Sequence, residues 1–253
     1  MPNGISLHIG VNYYDEAAYK KKRLSLRELP NCEKDAIAYM AIADRFHFKS
    51  AIRLNEGATV SNILFDMKVA ARHLEYGDFF FLTFSGHGGL VWDHNGDEEG
   101  SHDQAWCLYD RMLVDDDLYE QLKGFRPGVR VLVIADSCHS GTSIKNGNGN
   151  ERTRSIGPVE ARNFPLVKTD EVLASCILLA ACQDHQSAYT GNNLNNSLYT
   201  FWMLKVLEQY EFCDSYRELH NRIAQHMPPK SIPNLFKFGP GADQFVKKRP
   251  FKI

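Results

Sequence analysis

The apolar residues of the chain follow two spacings, short unbroken runs that predict buried strands and three-and-four spacing that predicts helices. Strand-like runs cover residues 4–12 (GISLHIGVN), 50–54, 78–89 (DFFFLTFSGHGG), 130–141 (RVLVIADSCHSG) and 174–182, with an edge strand over 232–239, where Pro233 is tolerated at the start. A helix is expected from a cap at Asn31, with Lys34 and Asp35 in its early turns and Ile37, Met40 and Ala41 at helical spacing. Residues 59–74 place Ile63, Met67, Ala70 and Leu74 on one stripe. Residues 115–122 form a short helix whose Asp115 and Asp116 suit its positive end. A further helix starts at a cap on Ser197 and runs to Gln209. Its Leu198, Phe201, Trp202, Leu204 and Leu207 fall on most faces, so it is expected to be largely buried. Tyr216, Leu219, Ile223 and Met227 mark a last amphipathic helix. Six strands with helices between them predict a mostly parallel sheet covered on both faces. Polar stretches separate these elements: residues 13–27 with the basic run KKKR, read as solvated loop, an acidic loop over 91–104, and a punctuated run over 142–169.

Composition sets limits on this picture. The chain has 253 residues, 43% of them hydrophobic, and a formal charge of −2. It can bury a substantial core, and α/β chains of this length are commonly one domain. Near-neutral charge gives no reason to expect a nucleic acid or an anionic membrane surface as partner. No apolar run approaches the ~20 residues of a membrane span. The N-terminus, MPNGISLHIGVNYY, lacks the basic-then-apolar order of a secretory signal. Cys32, Cys107, Cys138, Cys176, Cys182 and Cys213 include no CxxC pair, so neither zinc nor thioredoxin spacing appears, and a reducing, cytoplasmic setting is expected. Cys176 and Cys182 share parity in one strand and read as core.

Two of the strand-like runs end in small polar residues and glycine. One passes from VLVIA into Asp136-Ser137-Cys138-His139-Ser140-Gly141; the other ends Ser85-Gly86-His87-Gly88-Gly89. In open α/β sheets, ligands collect just beyond the carboxyl ends of the strands. The separation, 138 − 87 = 51 residues, is enough for a crossover connection, so parallel pairing brings His87 and Cys138 to one sheet edge. A lone cysteine is more often a small buried hydrophobe than a nucleophile. A thiol and an imidazole at the same edge, with matching Gly and Ser flanks, instead predict nucleophilic catalysis on a carbonyl. His139, adjacent to the thiol on a tight turn, is expected to point elsewhere.

The pairing of SGHGG with DSCHSG resembles the caspase-like cysteine peptidases, and specifically the metacaspase branch; a spacing of about 50 residues from His to Cys belongs to that resemblance. True caspases carry Gln-Ala-Cys at the nucleophile, where this chain has Asp136-Ser137-Cys138. The likeness spans nearly the whole chain, including LPNCEKDA at 29–36 and CQDHQSAYT at 182–190. It implies a caspase-like three-layer α/β sandwich, with a six-stranded, mostly parallel sheet and helices on both faces. It also implies one peptidase domain over 1–253: a large-subunit-like part about 1–141, a polar loop about 142–173 and a small-subunit-like part about 174–253.

The resemblance also implies roles. The Cys138 thiolate attacks the scissile carbonyl, His87 protonates the leaving amine, and the N–H groups of Cys138 and Gly88 form the oxyanion hole, glycine allowing the close approach. Asp35, Ser85 and Asp136 line the pocket for the side chain before the cut bond. Two carboxylates there favour a cation, so protein or peptide substrates cut after Arg or Lys are expected. Calcium is implied through Asp103, Asp115 and Asp116; the fourth family ligand falls on Lys145, which cannot ligate a metal, so carbonyls and water would complete the shell. The run DHNGD at 93–97 lacks the EF-hand intervals. Self-cleavage at Arg152 or Arg154 would release a zymogen constraint, and activation by a regulatory partner is the other route. Two alternatives stand: a catalytically silent caspase-like scaffold, and a cysteine amidase acting on small molecules.

Overall fold

The computed structural model describes residues 2–21, 24, 26–92, 102–138, 171–181, 195–209, 213–229 and 231–253; of residues 90–92, 102, 103 and 138 the backbone alone is described. The first part of the chain forms β1 (Gly4–Gly10), α1 (Glu16–Lys21), α2 (Cys32–Arg45), β2 (Lys49–Leu54), α3 (Val60–His73) and β3 (Phe79–Trp92). It continues through β4 (His102–Cys107), β5 (Met112–Val114), α4 (Asp115–Lys123) and β6 (Arg130–Cys138). The second part adds β7 (Ser175–Ala180), α5 (Leu198–Gln209), α6 (Tyr216–Ala224), β8 (Asn234–Phe238) and α7 (Ala242–Phe245).

The sheet runs β2-β1-β3-β6-β7-β8. Every pairing along it is parallel except the last, where β8 closes the edge antiparallel to β7. The β6–β7 pairing therefore joins the two parts of the chain in one sheet. Strand side chains alternate between faces, and both faces of the central β3, β6 and β7 are largely apolar. Phe80, Leu82, Phe84, Val131 and Val133 pack with Ile63, Met67 and Ala70 of α3 and Leu118 and Leu122 of α4. Phe79, Phe81, Leu132, Ile134, Ile177 and Leu179 pack on the other face with residues of α2, α5 and α6. Fully burying one such side chain contributes ~1.5–3 kcal/mol, which explains why strands apolar on both sides sit in the middle of a three-layer sandwich. The expected mostly parallel sheet with helices on both faces is what the chain forms.

Local chemistry sets the helix starts. The Thr59 side chain accepts the Asn62 N–H at 3.3 Å, and Ser215 accepts the Glu218 N–H at 3.1 Å, both as N-caps. No helix among the described residues is long and apolar enough to cross a membrane.

Three expectations need correction. Ile37 is 49% exposed, and Ala41 also faces outward; α2 instead buries Cys32, Asp35, Ala36, Tyr39, Ile42 and Ala43. The helix was placed correctly but its face was turned, because a buried aspartate sits on the inward stripe where apolar periodicity expects none. Residues 13–27 are not simply solvated loop: α1 lies there, and its Tyr19 packs with Ala105, Cys107 and Met112. The stretch beyond His87 is not all loop either. β3 continues to Trp92, and β4 and β5 form an antiparallel ladder on its extension. The short α7 carried too few residues for a periodic signal.

Candidate active site

The site grows from the β3–β6 register. Ser85 pairs with Asp136, Gly86 with Ser137 and His87 with Cys138. Pairing one residue out of step would move every side chain to the other face, so the apolar runs behind these residues fix the juxtaposition at the strand ends. The Cys138 side chain lies outside the described residues, as do His139, Lys145, Arg152, Arg154, Cys182 and the acidic run at 93–97.

His87 is 5% exposed and held from several sides by the segment that follows β1. Its Nε2 lies 2.8 Å from the Arg27 carbonyl oxygen. A carbonyl only accepts, so Nε2 carries the proton and Nδ1 is the free base. Nδ1 is buried with no hydrogen-bond partner among the described residues. The His87 N–H donates to the Tyr14 hydroxyl at 3.0 Å, that hydroxyl donates to the Val11 carbonyl at 3.2 Å, and the Tyr14 ring lies 5.5 Å from the imidazole. Burial lowers the His87 pKa below its ordinary value, with the Arg27 carbonyl opposing part of that fall. A neutral imidazole with one tautomer fixed is the form a general base requires.

Asp35, Ser85 and Asp136 come together under the first turn of α5. Ser85 Oγ donates to Asp35 Oδ2 at 2.8 Å. Asp35 Oδ1 accepts the Asn196 side-chain amide and the Ser197 N–H, each at 3.0 Å. Asp136 Oδ2 accepts the Ser197 hydroxyl, and the Thr200 hydroxyl at 2.9 Å. Thr200 Oγ1 is also 3.2 Å from the Tyr39 hydroxyl, which can donate to it. The close start of α2 depends on Gly10, where a Cβ would collide with the Cys32 carbonyl. Both carboxyls have raised pKa values, Asp35 through burial and the neighbouring Asp136, and Asp136 through burial. Two buried acids this close hold their protons more tightly than ordinary aspartates, and a bound cation would release them.

Gly88 is buried and pairs with Trp106 of β4. Asp115 starts α4 and is 4% exposed. Its Oδ2 accepts the Gln104 N–H and its Oδ1 the Asp116 N–H, each at 3.0 Å. Asp103 lies on β4, with its side chain outside the described residues. Among the described residues no three His, Cys, Asp or Glu side chains gather to hold a metal ion. Asp115 is already oriented by two backbone N–H groups, which accounts for its burial at a helix start.

Several residues of the site had no role in the sequence-based picture: Tyr14, the Arg27 carbonyl, Asn196, Ser197 as a donor to the acids, and Thr200. Thr200 lies three residues after Ser197, so helical spacing could have put both hydroxyls on one face. A backbone carbonyl reaching His87 from 60 residues away leaves no mark in the sequence.

Comparison with known proteins supports this fold. A crystal structure of a Geobacter sulfurreducens protein superposes with a TM-score of 0.81 at 34% identity, covering 100% of this chain and 99% of that one. Caspase-1 from Spodoptera frugiperda superposes with a TM-score of 0.59 at 13% identity, over 93% and 88% of the two chains, and so shares the fold. The caspase domain model matches residues 3–245, and the chain belongs to the caspase domain family of peptidases. Within it the chain is metacaspase-like. It is 42% identical to metacaspase-1B of Aspergillus fumigatus over 91 residues, 34% of this chain and 22% of that protein. It is 31% identical to metacaspase-1 of Kluyveromyces lactis over 154 residues, 55% of this chain and 34% of that protein. The matches thus span about a fifth to a third of those curated relatives.

Proposed function

We propose that the chain is a cysteine endopeptidase that cuts peptide bonds after Arg or Lys. The observation that carries this is the pair of neighbouring register positions, His87 beside Cys138 and Ser85 beside Asp136, with Asp35 bonded to Ser85. His87 Nδ1 takes the Cys138 thiol proton, and the thiolate attacks the scissile carbonyl carbon. The carbonyl π electrons move to oxygen, and the N–H groups of Gly88 and Cys138 stabilise that oxyanion. As the intermediate collapses, the C–N bond breaks and His87 returns its proton to the leaving amine. Water then attacks the thioester with His87 as base, releasing the carboxylic acid and the thiol. Asp35 and Asp136 hold the guanidinium or ammonium of the preceding side chain, and Ser85 orients Asp35. Their buried setting supports a cation over an anion, because an acidic side chain there would add a third like charge.

Calcium bound through Asp103, Asp115 and Asp116 would act as an activator; the catalytic steps do not run through it. Cleavage of the chain itself at Arg152 or Arg154 would be the same reaction on an internal substrate. A reducing, cytoplasmic setting follows from cysteine spacing and from the need to keep Cys138 as a thiol.

The test is turnover of fluorogenic peptides ending in Arg, Lys or Asp, with and without calcium, by the parent chain, Cys138→Ala and Asp115→Asn. Cleavage after Arg or Lys that disappears in Cys138→Ala supports the proposal. Preference for Asp overturns the acid pocket, and activity surviving in Cys138→Ala overturns the nucleophile. A folded but inert chain, with or without calcium, would favour the non-catalytic scaffold. Calcium stimulation lost in Asp115→Asn supports the ion site, and mass spectrometry of the purified chain reads cleavage at Arg152 or Arg154.

A further inference from the structure

The Asp35–Asp136 pair is buried, and the hydrogen-bond donors on it come mainly from one place. Ser85 of β3 supplies one. The Asn196 amide, the Ser197 N–H, the Ser197 and Thr200 hydroxyls and the Thr200 N–H supply the others, all from the start of α5. Ser197 bridges the acids, its N–H on Asp35 and its hydroxyl on Asp136. The positive end of a 12-residue helix also faces the carboxylates.

We infer that Ser197 and Thr200 are positioning residues that set the charge carried by the Asp35–Asp136 pair and, through it, the preference for a cationic side chain before the cut bond. The inference rests on the acid pocket of the proposed function and adds what governs its strength. Hydrogen bonds to an ionised acceptor are stronger than those to a neutral one. Donated hydroxyls therefore favour the charged form against burial and against the neighbouring acid. Both carboxyls are raised even with these donors in place; without them the pair would hold its protons at higher pH and offer less charge to an arginine. The other titratable groups facing the pair among the described residues are the phenols of Tyr39 and Tyr199, with His87 two residues beyond Ser85 on β3. Burial keeps both phenols protonated and His87 neutral, so none of them supplies a compensating cation.

The experiment follows the carboxyl carbons of Asp35 and Asp136 by NMR through a pH titration of the full chain, labelled at aspartate. Thr200→Val keeps the shape and removes the hydroxyl; Ser197→Ala removes one hydroxyl but keeps its N–H; Thr200→Ser restores a donor. The expected result is an upward shift of the pair's titration in Thr200→Val and Ser197→Ala, on the order of a tenfold change in the proton's dissociation constant. Thr200→Ser should return close to the parent. KM for an arginine peptide should rise about tenfold near neutral pH in Thr200→Val, with the gap closing in alkali as the pair ionises. An unmoved titration in Thr200→Val, or an equal shift in Thr200→Ser, overturns the inference even if the parent cuts after arginine. If the parent fails to cut after Arg or Lys, the pocket assignment fails and removes the specificity half of the inference, while the titration still decides what the hydroxyls do to the pair.

Discussion

Replacing His8 by leucine should change how stability depends on pH. His8 lies on β1 with no exposed surface, its Nδ1 3.0 Å from Thr83 Oγ1 and its Nε2 3.0 Å from Ser6 Oγ. Burial lowers its pKa from 6.5 to about 3. Below the ordinary histidine value the unfolded chain binds a proton that the folded chain refuses. Stability is therefore complete above that value and is lost as pH falls toward the folded one. The loss accumulates at roughly 1.4 kcal/mol per pH unit, about 2 kcal/mol between about pH 7.5 and about pH 5. His8→Leu also strands the Ser6 and Thr83 hydroxyls, which costs ~1–3 kcal/mol for each at every pH. That constant cost cancels when each protein is compared with itself at two pH values, and the pH-dependent contributions of Asp35, His87, Asp136 and His220, common to both proteins, cancel when the two losses are subtracted. Urea unfolding at both pH values should show the parent losing about 2 kcal/mol more than His8→Leu on acidification. An equal loss in both proteins would refute a buried neutral His8.

Other outcomes test particular contacts. Ile37→Gln should move stability by less than about 0.5 kcal/mol, whereas Tyr39→Ala should cost about 3–5 kcal/mol; thermal melts in the reverse order would contradict the observed face of α2. Tyr14→Phe leaves the buried His87 N–H without its acceptor. It should cost ~1–3 kcal/mol and lower kcat; unchanged values for both would separate Tyr14 from His87. For arginine peptides, kcat/KM should rise with pH through the raised range of the acid pair, since the protonated pair binds cations poorly. A profile following a single ordinary aspartate would count against coupling of Asp35 with Asp136.

The sheet was legible in the sequence because its central strands are largely apolar on both faces, a pattern that survives whatever packs against them. The α3 stripe from Ile63 to Leu74 was legible for the same reason: it buries only apolar groups. α2 was misread because Asp35 takes an inward position that a hydrophobic count assigns to solvent. The hairpin of β4 and β5 was hidden because its β-strand partner is the extension of β3, and short strands such as Met112–Val114 carry little pattern of their own. At the site, matching strand ends with Gly and Ser flanks brought His87 and Cys138 to one sheet edge, while the gathering of Asp35, Ser85 and Asp136 was implied by the metacaspase resemblance alone. The support around them was hidden, because a backbone carbonyl from Arg27 and hydroxyls from α5 reach the site through long-range packing.

The discriminating measurement compares kcat/KM for peptides with arginine and with its neutral isostere citrulline before the cut bond, in the parent chain and in Asp136→Asn. A buried acid pair reading a cation predicts that the parent prefers arginine by on the order of a hundredfold or more, and that Asp136→Asn loses most of that preference. Equal rates on arginine and citrulline in the parent, or an arginine preference untouched by Asp136→Asn, would contradict it.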